Sequence, residues 1–168
     1  MQTPINRNAD DMSAESFFGD MIESLSGTLE EIVGVKEATS FIARVGHDMG
    51  RRIGASYNAV EGGLPSDPEG IGQLLCDFKE RIGGHFELVS ADAEKLVFTA
   101  SRCPFGDRVK GRPSLCMMTT NVFGRIVADA NGYASVKIDE AISLGHSRCH
   151  VTVHLDRSQD SNLNEFFT

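Results

Sequence analysis

Tryptophan is missing from this 168-residue chain, tyrosine occurs twice, and all aromatics together make up 7%. A core must therefore be built from aliphatic side chains and phenylalanine. No apolar stretch approaches the ~18 residues of a membrane-spanning helix, so no membrane association is expected. Positive charge is scarce as well. Lys and Arg number 16 against 24 Asp and Glu, a formal net charge of -8. That balance argues against general duplex binding, since phosphate contacts need a basic surface, and no direct nucleic-acid partner is expected. There is no Ser/His/Asp signature, no phosphate loop and no dinucleotide fingerprint. No Cys-x-x-Cys knuckle occurs either, so common zinc-finger spacings do not fit. The first twelve residues are polar and acidic and lack the basic and apolar regions of a signal peptide. The expected location is cytoplasmic, where the four cysteines read as metal ligands, redox thiols or core residues rather than disulfides.

What is present reads as one domain. Residues 1–12 are expected to be a disordered tail, 13–156 the domain and 157–168 a polar C-terminal tail. Ser13 can cap a first helix carrying Phe17, Met21, Leu25 and Leu29 at helical spacing, with Gly27 as a candidate break. A second helix spans about Lys36–Val60. Its glycines Gly46, Gly50 and Gly54 recur at every fourth position. Each weakens a helix by about 1 kcal/mol relative to alanine, so three in register predict the close approach of another backbone. Asp67 and Pro68 start a third helix that runs to about Ile82. The period then changes to two. Phe86–Ser90 and Lys95–Thr99 form a hairpin, a helix follows from about Ser114 to Ala130, and a second hairpin joins Ala134–Ile142 to Arg148–Leu155. Two hairpins make one antiparallel sheet most simply, with helices packed on it: an α+β domain.

The densest chemistry lies in the stretch 101–116, which holds two cysteines, two prolines, two glycines and several basic residues. Cys103 sits at a strand exit, Cys116 in the first turn of a helix and Cys149 beside a hairpin turn. All three positions are element ends, where side chains converge on a site. The positive end of a helix favours thiolate, and Arg102, Arg108, Lys110, Arg112 and Arg148 are expected to lower the thiol pKa values further. The bland reading is that the three are small buried hydrophobes.

The motifs Cys103-Pro104-Phe105-Gly106, Pro113-Ser114-Leu115-Cys116, Asn121-Val122-Phe123-Gly124 and Gly145-His146-Ser147-Arg148-Cys149 resemble those of the methanogen output domain family over about residues 28–156. More distantly, the cysteine pattern is similar to the ligand-binding region of 4-vinyl-reductase-type domains and to the cysteine region of iron–sulfur-sensing repressors. The resemblance implies a sensory or output module of bacterial and archaeal signalling. From the repressors it implies a cluster held by Cys103, Cys116 and Cys149. No helix-turn-helix is recognisable, so a DNA-binding role does not carry over. An iron–sulfur cluster takes mostly cysteines, with histidine in some proteins, and structural zinc accepts three cysteines and one histidine. His146, His150 and Cys76 are the candidate fourth ligands, with Cys76 better read as core. The expected function is a cytosolic sensor that relays redox or ligand state to a histidine kinase or response regulator, as a homodimer on the N-terminal helices. The alternatives are a metal-free small-ligand module and a thiol-based oxidoreductase with Cys103 as nucleophile.

Overall fold

The computed structural model describes residues 13–60, 62–157 and 163–168; the expected N-terminal tail, 1–12, lies outside them. Four helices come in the expected order: α1 (Ala14–Val33), α2 (Val35–Asn58), α3 (Pro68–Arg81) and α4 (Cys116–Asn131). Ser13 and Ser16 cap the start of α1 reciprocally, and Asp67 accepts the Gly70 amide at the start of α3, which satisfies donors that a helix start leaves orphaned.

The strands are β1 (His85–Ala91), β2 (Lys95–Arg102), β3 (Tyr133–Glu140), β4 (Cys149–His154) and β5 (Asn164–Phe167). They form one antiparallel sheet in the order β1-β2-β4-β3-β5. The two hairpins are joined through β2 and β4, so the chain is an α+β domain of one sheet with helices on one face. β5 departs from the expected polar tail. It pairs along β3 and lays the Phe166 ring over Gly124 of α4, where an added Cβ would come within 2.1 Å of ring carbons. Four residues are too few for periodicity to register, and a pairing across more than twenty residues leaves no local signal.

α3 and α4 cover the sheet. Ile71, Leu75 and Phe78 from α3 and Val122, Phe123, Ile126 and Val127 from α4 pack on Phe86, Leu96, Phe98, Val136, Val151 and Val153. α2 lies outside α4, and the glycine stripe explains how. A Cβ on Gly46 would stand 2.9 Å from the Asn121 Cβ, and one on Gly50 would stand 3.2 Å from the Val122 Cα. The approaching backbone is therefore α4. α1 is continuous through Gly27 rather than broken there, because the missing side chain admits the guanidinium of Arg112. No described helix is long and apolar enough to cross a membrane.

Candidate functional site

Three separate segments bring Cys103, Cys116 and Cys149 to one small cavity of about 20 Å³. The sheet register does half of this. Ala100 of β2 is opposite Cys149 of β4, so Cys103, just beyond the end of β2, lies beside the start of β4. Phe98 and Leu96 are opposite Val151 and Val153, and these four are buried in the core, so Cys149 shares the helix-covered face. The other half is α4, which begins at Cys116 above that corner. Phe86, Phe105, Val109, Leu115, Thr119 and Ser143 complete the walls.

Each sulfur has a hydrogen-bonding partner of its own. The Phe105 amide donates to Cys103, the Ile142 amide donates to the Cys149 Sγ at 3.4 Å, and the Cys116 Sγ is 3.0 Å from the Ser143 hydroxyl. Burial nevertheless dominates. It pushes the Cys103 thiol up to about 11 and raises Cys116 as well, the reverse of the lowering expected from neighbouring arginines.

Those arginines point elsewhere. Arg102 donates to the Gly83 carbonyl at 2.9 Å and Arg148 is exposed. Arg108 pairs with Asp20 of α1 at 2.7 Å, and Arg112 lies against Gly27 of α1. Ser114 donates to Glu30, also on α1. The basic loop 103–115 is thus clasped by α1 along most of its length. The fourth-ligand candidates do not line the cavity. His150 follows Cys149 by one residue and so projects from the opposite face of the sheet, where it meets Asp139 at 3.4 Å. His146 is exposed in the turn before β4. Cys76 packs at the edge of the core, with its thiol against the Leu88 backbone.

The cation of the site is one that the sequence did not announce. Lys79 of α3 is 2% exposed. Its Nζ donates to the Thr119 Oγ1 at 2.8 Å and lies 5.0 to 5.5 Å from the ring centres of Phe86, Phe123 and Phe78. Desolvation lowers its pKa to about 8, while Cys103, Cys149 and Cys116 pull in the other direction. The signal for it was a lysine eight residues after Ile71 and four after Leu75, on the apolar stripe of α3, where a charge is rarely found unless paired.

A second groove of about 370 Å³ lies under α1 and has Lys79 in its wall. Phe105 lines both spaces.

The sequence profile of methanogen output domain 1 matches residues 21–154. The chain belongs to this family. No curated protein is significantly similar to it. Among solved structures, the phenol-responsive sensory domain of the transcription activator PoxR, determined with phenol, superposes with a TM-score of 0.69 at 15% identity, over 81% of this chain and 73% of that one. A trafficking protein particle complex subunit 3 from Naegleria fowleri, covalently bound to palmitic acid, superposes with a TM-score of 0.57 at 13% identity, over 91% and 99%. At these identities the likeness is one of fold. Among the described residues of this output domain, no group of three or more His, Cys, Asp and Glu side chains is arranged as a metal-holding set.

Proposed function

We propose that this output domain is a sensor in signal transduction, and that Cys103, Cys116 and Cys149 are its sensing group, holding a metal ion or an iron–sulfur cluster. The observation that carries the reading is the convergence of three thiols from distant segments on one cavity, each sulfur with its own hydrogen-bonding partner and a buried ammonium beside them. Burial raises the Cys103 and Cys116 thiols, so a metal would have to displace their protons; the amides and hydroxyl that donate to sulfur, together with the Lys79 ammonium, would stabilise the thiolates that bind it. The cavity has room for about one solvent-sized body. By volume the cavity admits a single ion, but the three thiols would have to close on it, since they are not arranged as a metal-holding set, and a cluster would need outward movement of the loop 103–115 as well. When bound, such a group supplies reversible chemistry with oxidants or with metal supply.

The chain's own residues supply the relay. Cys149 is fixed in the sheet, whereas Cys103 and Cys116 flank the loop that Asp20, Gly27 and Glu30 of α1 clasp. A change in how the thiols close therefore moves α1. The outer face of α1 carries Phe17, Met21, Leu25 and Ile32, with Leu25 62% and Ile32 75% exposed. A contiguous apolar stripe of this kind fits a protein interface. We assign it to a homodimer, with a histidine kinase or response regulator as the downstream partner. A thiol-reductase role is disfavoured because the Cys103 thiol is pushed up to about 11, whereas an activated nucleophile needs a lowered pKa.

The test is metal analysis and a visible spectrum on the anaerobically purified chain. Stoichiometric metal is expected, falling by more than about tenfold in Cys103→Ser, Cys116→Ser and Cys149→Ser but not in Cys76→Ser. A brown protein that bleaches in air identifies a cluster. A colourless one with bound zinc identifies the single ion. Wild-type protein free of metal, or metal retained by all three variants, overturns the reading. Light scattering reads the dimer, which Leu25→Arg is expected to dissociate.

A second reading, a metal-free small-ligand module, is favoured by the apolar groove between α1, α2, α3 and α4. Both structural relatives were determined with an organic molecule, phenol in one and palmitic acid in the other.

A further inference from the structure

The groove has an apolar body, with Lys79, Glu15 and Arg108 as the charged residues of its wall. Phe18 and Ile22 of α1, Met49 and Ile53 of α2, and Met118 and Val122 of α4 form its sides, and Lys79 belongs to its wall. At about 370 Å³ it falls within the range of small-molecule sites, about 300–1,000 Å³. Among the described residues the ammonium of Lys79 has no carboxylate counter-ion. Its Nζ meets a hydroxyl and three ring faces, and its electrostatic partners are the three thiols. The two other charged groups on the groove wall are Glu15 and Arg108, and Arg108 is already engaged by Asp20. A buried charge of this kind is costly when unpaired. An occupant with an apolar tail and a negative head would supply the missing partner, tail toward the six apolar residues and head inward.

From this we infer that the groove binds a medium-chain aliphatic carboxylate, with the carboxylate against Lys79. The inference rests on the second reading above, that the groove is a ligand site, and adds the chemical class of the ligand.

The experiment is calorimetric titration of the full chain, reduced and metal-free, with decanoate and with decanol, in wild type and in Lys79→Met. Wild type is expected to prefer decanoate over decanol by about tenfold or more, the scale of one charge-assisted hydrogen bond. Lys79→Met, which keeps the length of the side chain, should lose that preference while still binding decanol. Equal affinity for acid and alcohol in wild type overturns the inference and leaves the groove reading standing, as does an acid preference that survives in Lys79→Met. Binding of neither compound removes both together.

Discussion

Lys79→Met is expected to make the protein more stable at pH 7, by about 2 kcal/mol. The lysine is held among aromatic rings with its pKa lowered from 10.5 to about 8. At 1.36 kcal/mol per pKa unit, keeping it charged there costs on the order of 3 kcal/mol. Against this stands the hydrogen bond to Thr119, which contributes about 1 kcal/mol. Methionine fills the same channel without the charge, and replacing a buried ionic group by an apolar one of similar volume is commonly neutral or stabilising. The pH dependence separates this cause from a general packing effect. A lysine whose pKa is lower folded than unfolded binds fewer protons in the folded state across that interval. Wild-type stability therefore rises as pH goes from about 8 toward 10.5. Cys103 acts in the opposite sense. Its thiol is raised from 9.0 to about 11, the unfolded thiol ionises first, and stability falls across that range. Cys116 and Cys76, also raised by burial, act in the same sense as Cys103, so wild type should gain between about pH 8 and 9 and decline beyond it, whereas Lys79→Met should stay flat to about pH 9 and decline more steeply. Urea melts across this range read both curves. A variant less stable than wild type at pH 7 would mean that the rings and thiols more than compensate the buried charge.

The same lysine marks the limit of what the sequence made legible. The helices were readable because their apolar residues recur at three and four positions, and the hairpins because the period changes to two at Phe86 and again at Ala134. The convergence of the cysteines followed from placing each at an element end, and the register that brings Ala100 opposite Cys149 is the physical form of that expectation. The glycine repeat of α2 was readable because small residues at one helical spacing imply a close neighbour, although which neighbour depended on tertiary packing. Lys79 was not readable, because a lysine beside an apolar stripe ordinarily extends its stem along the surface and keeps its charge in water. Only the enclosure by Phe78, Phe86 and Phe123, from α3, β1 and α4, decides that it is buried. The arginines of the loop find partners other than the thiols for a related reason. Nearness in sequence to Cys103 and Cys116 suggested thiol tuning, but the carboxylates and glycines that receive Arg108 and Arg112 lie more than eighty residues away on α1. Long flexible cations pair with whatever the fold presents, and local sequence does not say what that is.

Phe123→Ala is expected to cost about 3–5 kcal/mol, the range for truncating a buried phenylalanine, and so to remove a large share of a total that is typically 5–15 kcal/mol. Phe123 is fully buried at the centre of the core. Its ring centre is 5.6 Å from that of Phe86 and 5.3 Å from that of Phe98, so alanine leaves a void facing both β1 and β2, and a lowered urea midpoint with unchanged slope reads the loss. The ring also forms one wall of the Lys79 enclosure, at 5.1 Å from the Nζ. Alanine would confound that contact with the cavity, and Phe123→Leu separates the two because it keeps most of the volume and removes the ring face. Combined with Lys79→Met in a double-mutant cycle, Phe123→Leu isolates the pairwise interaction between ring and ammonium. A coupling of about 1–2 kcal/mol is expected for a desolvated cation over a ring. Coupling near zero would place the hold on Lys79 with Thr119 and the thiols instead, and would make the ammonium answerable to the state of Cys103, Cys116 and Cys149 rather than to the aromatic floor beneath it.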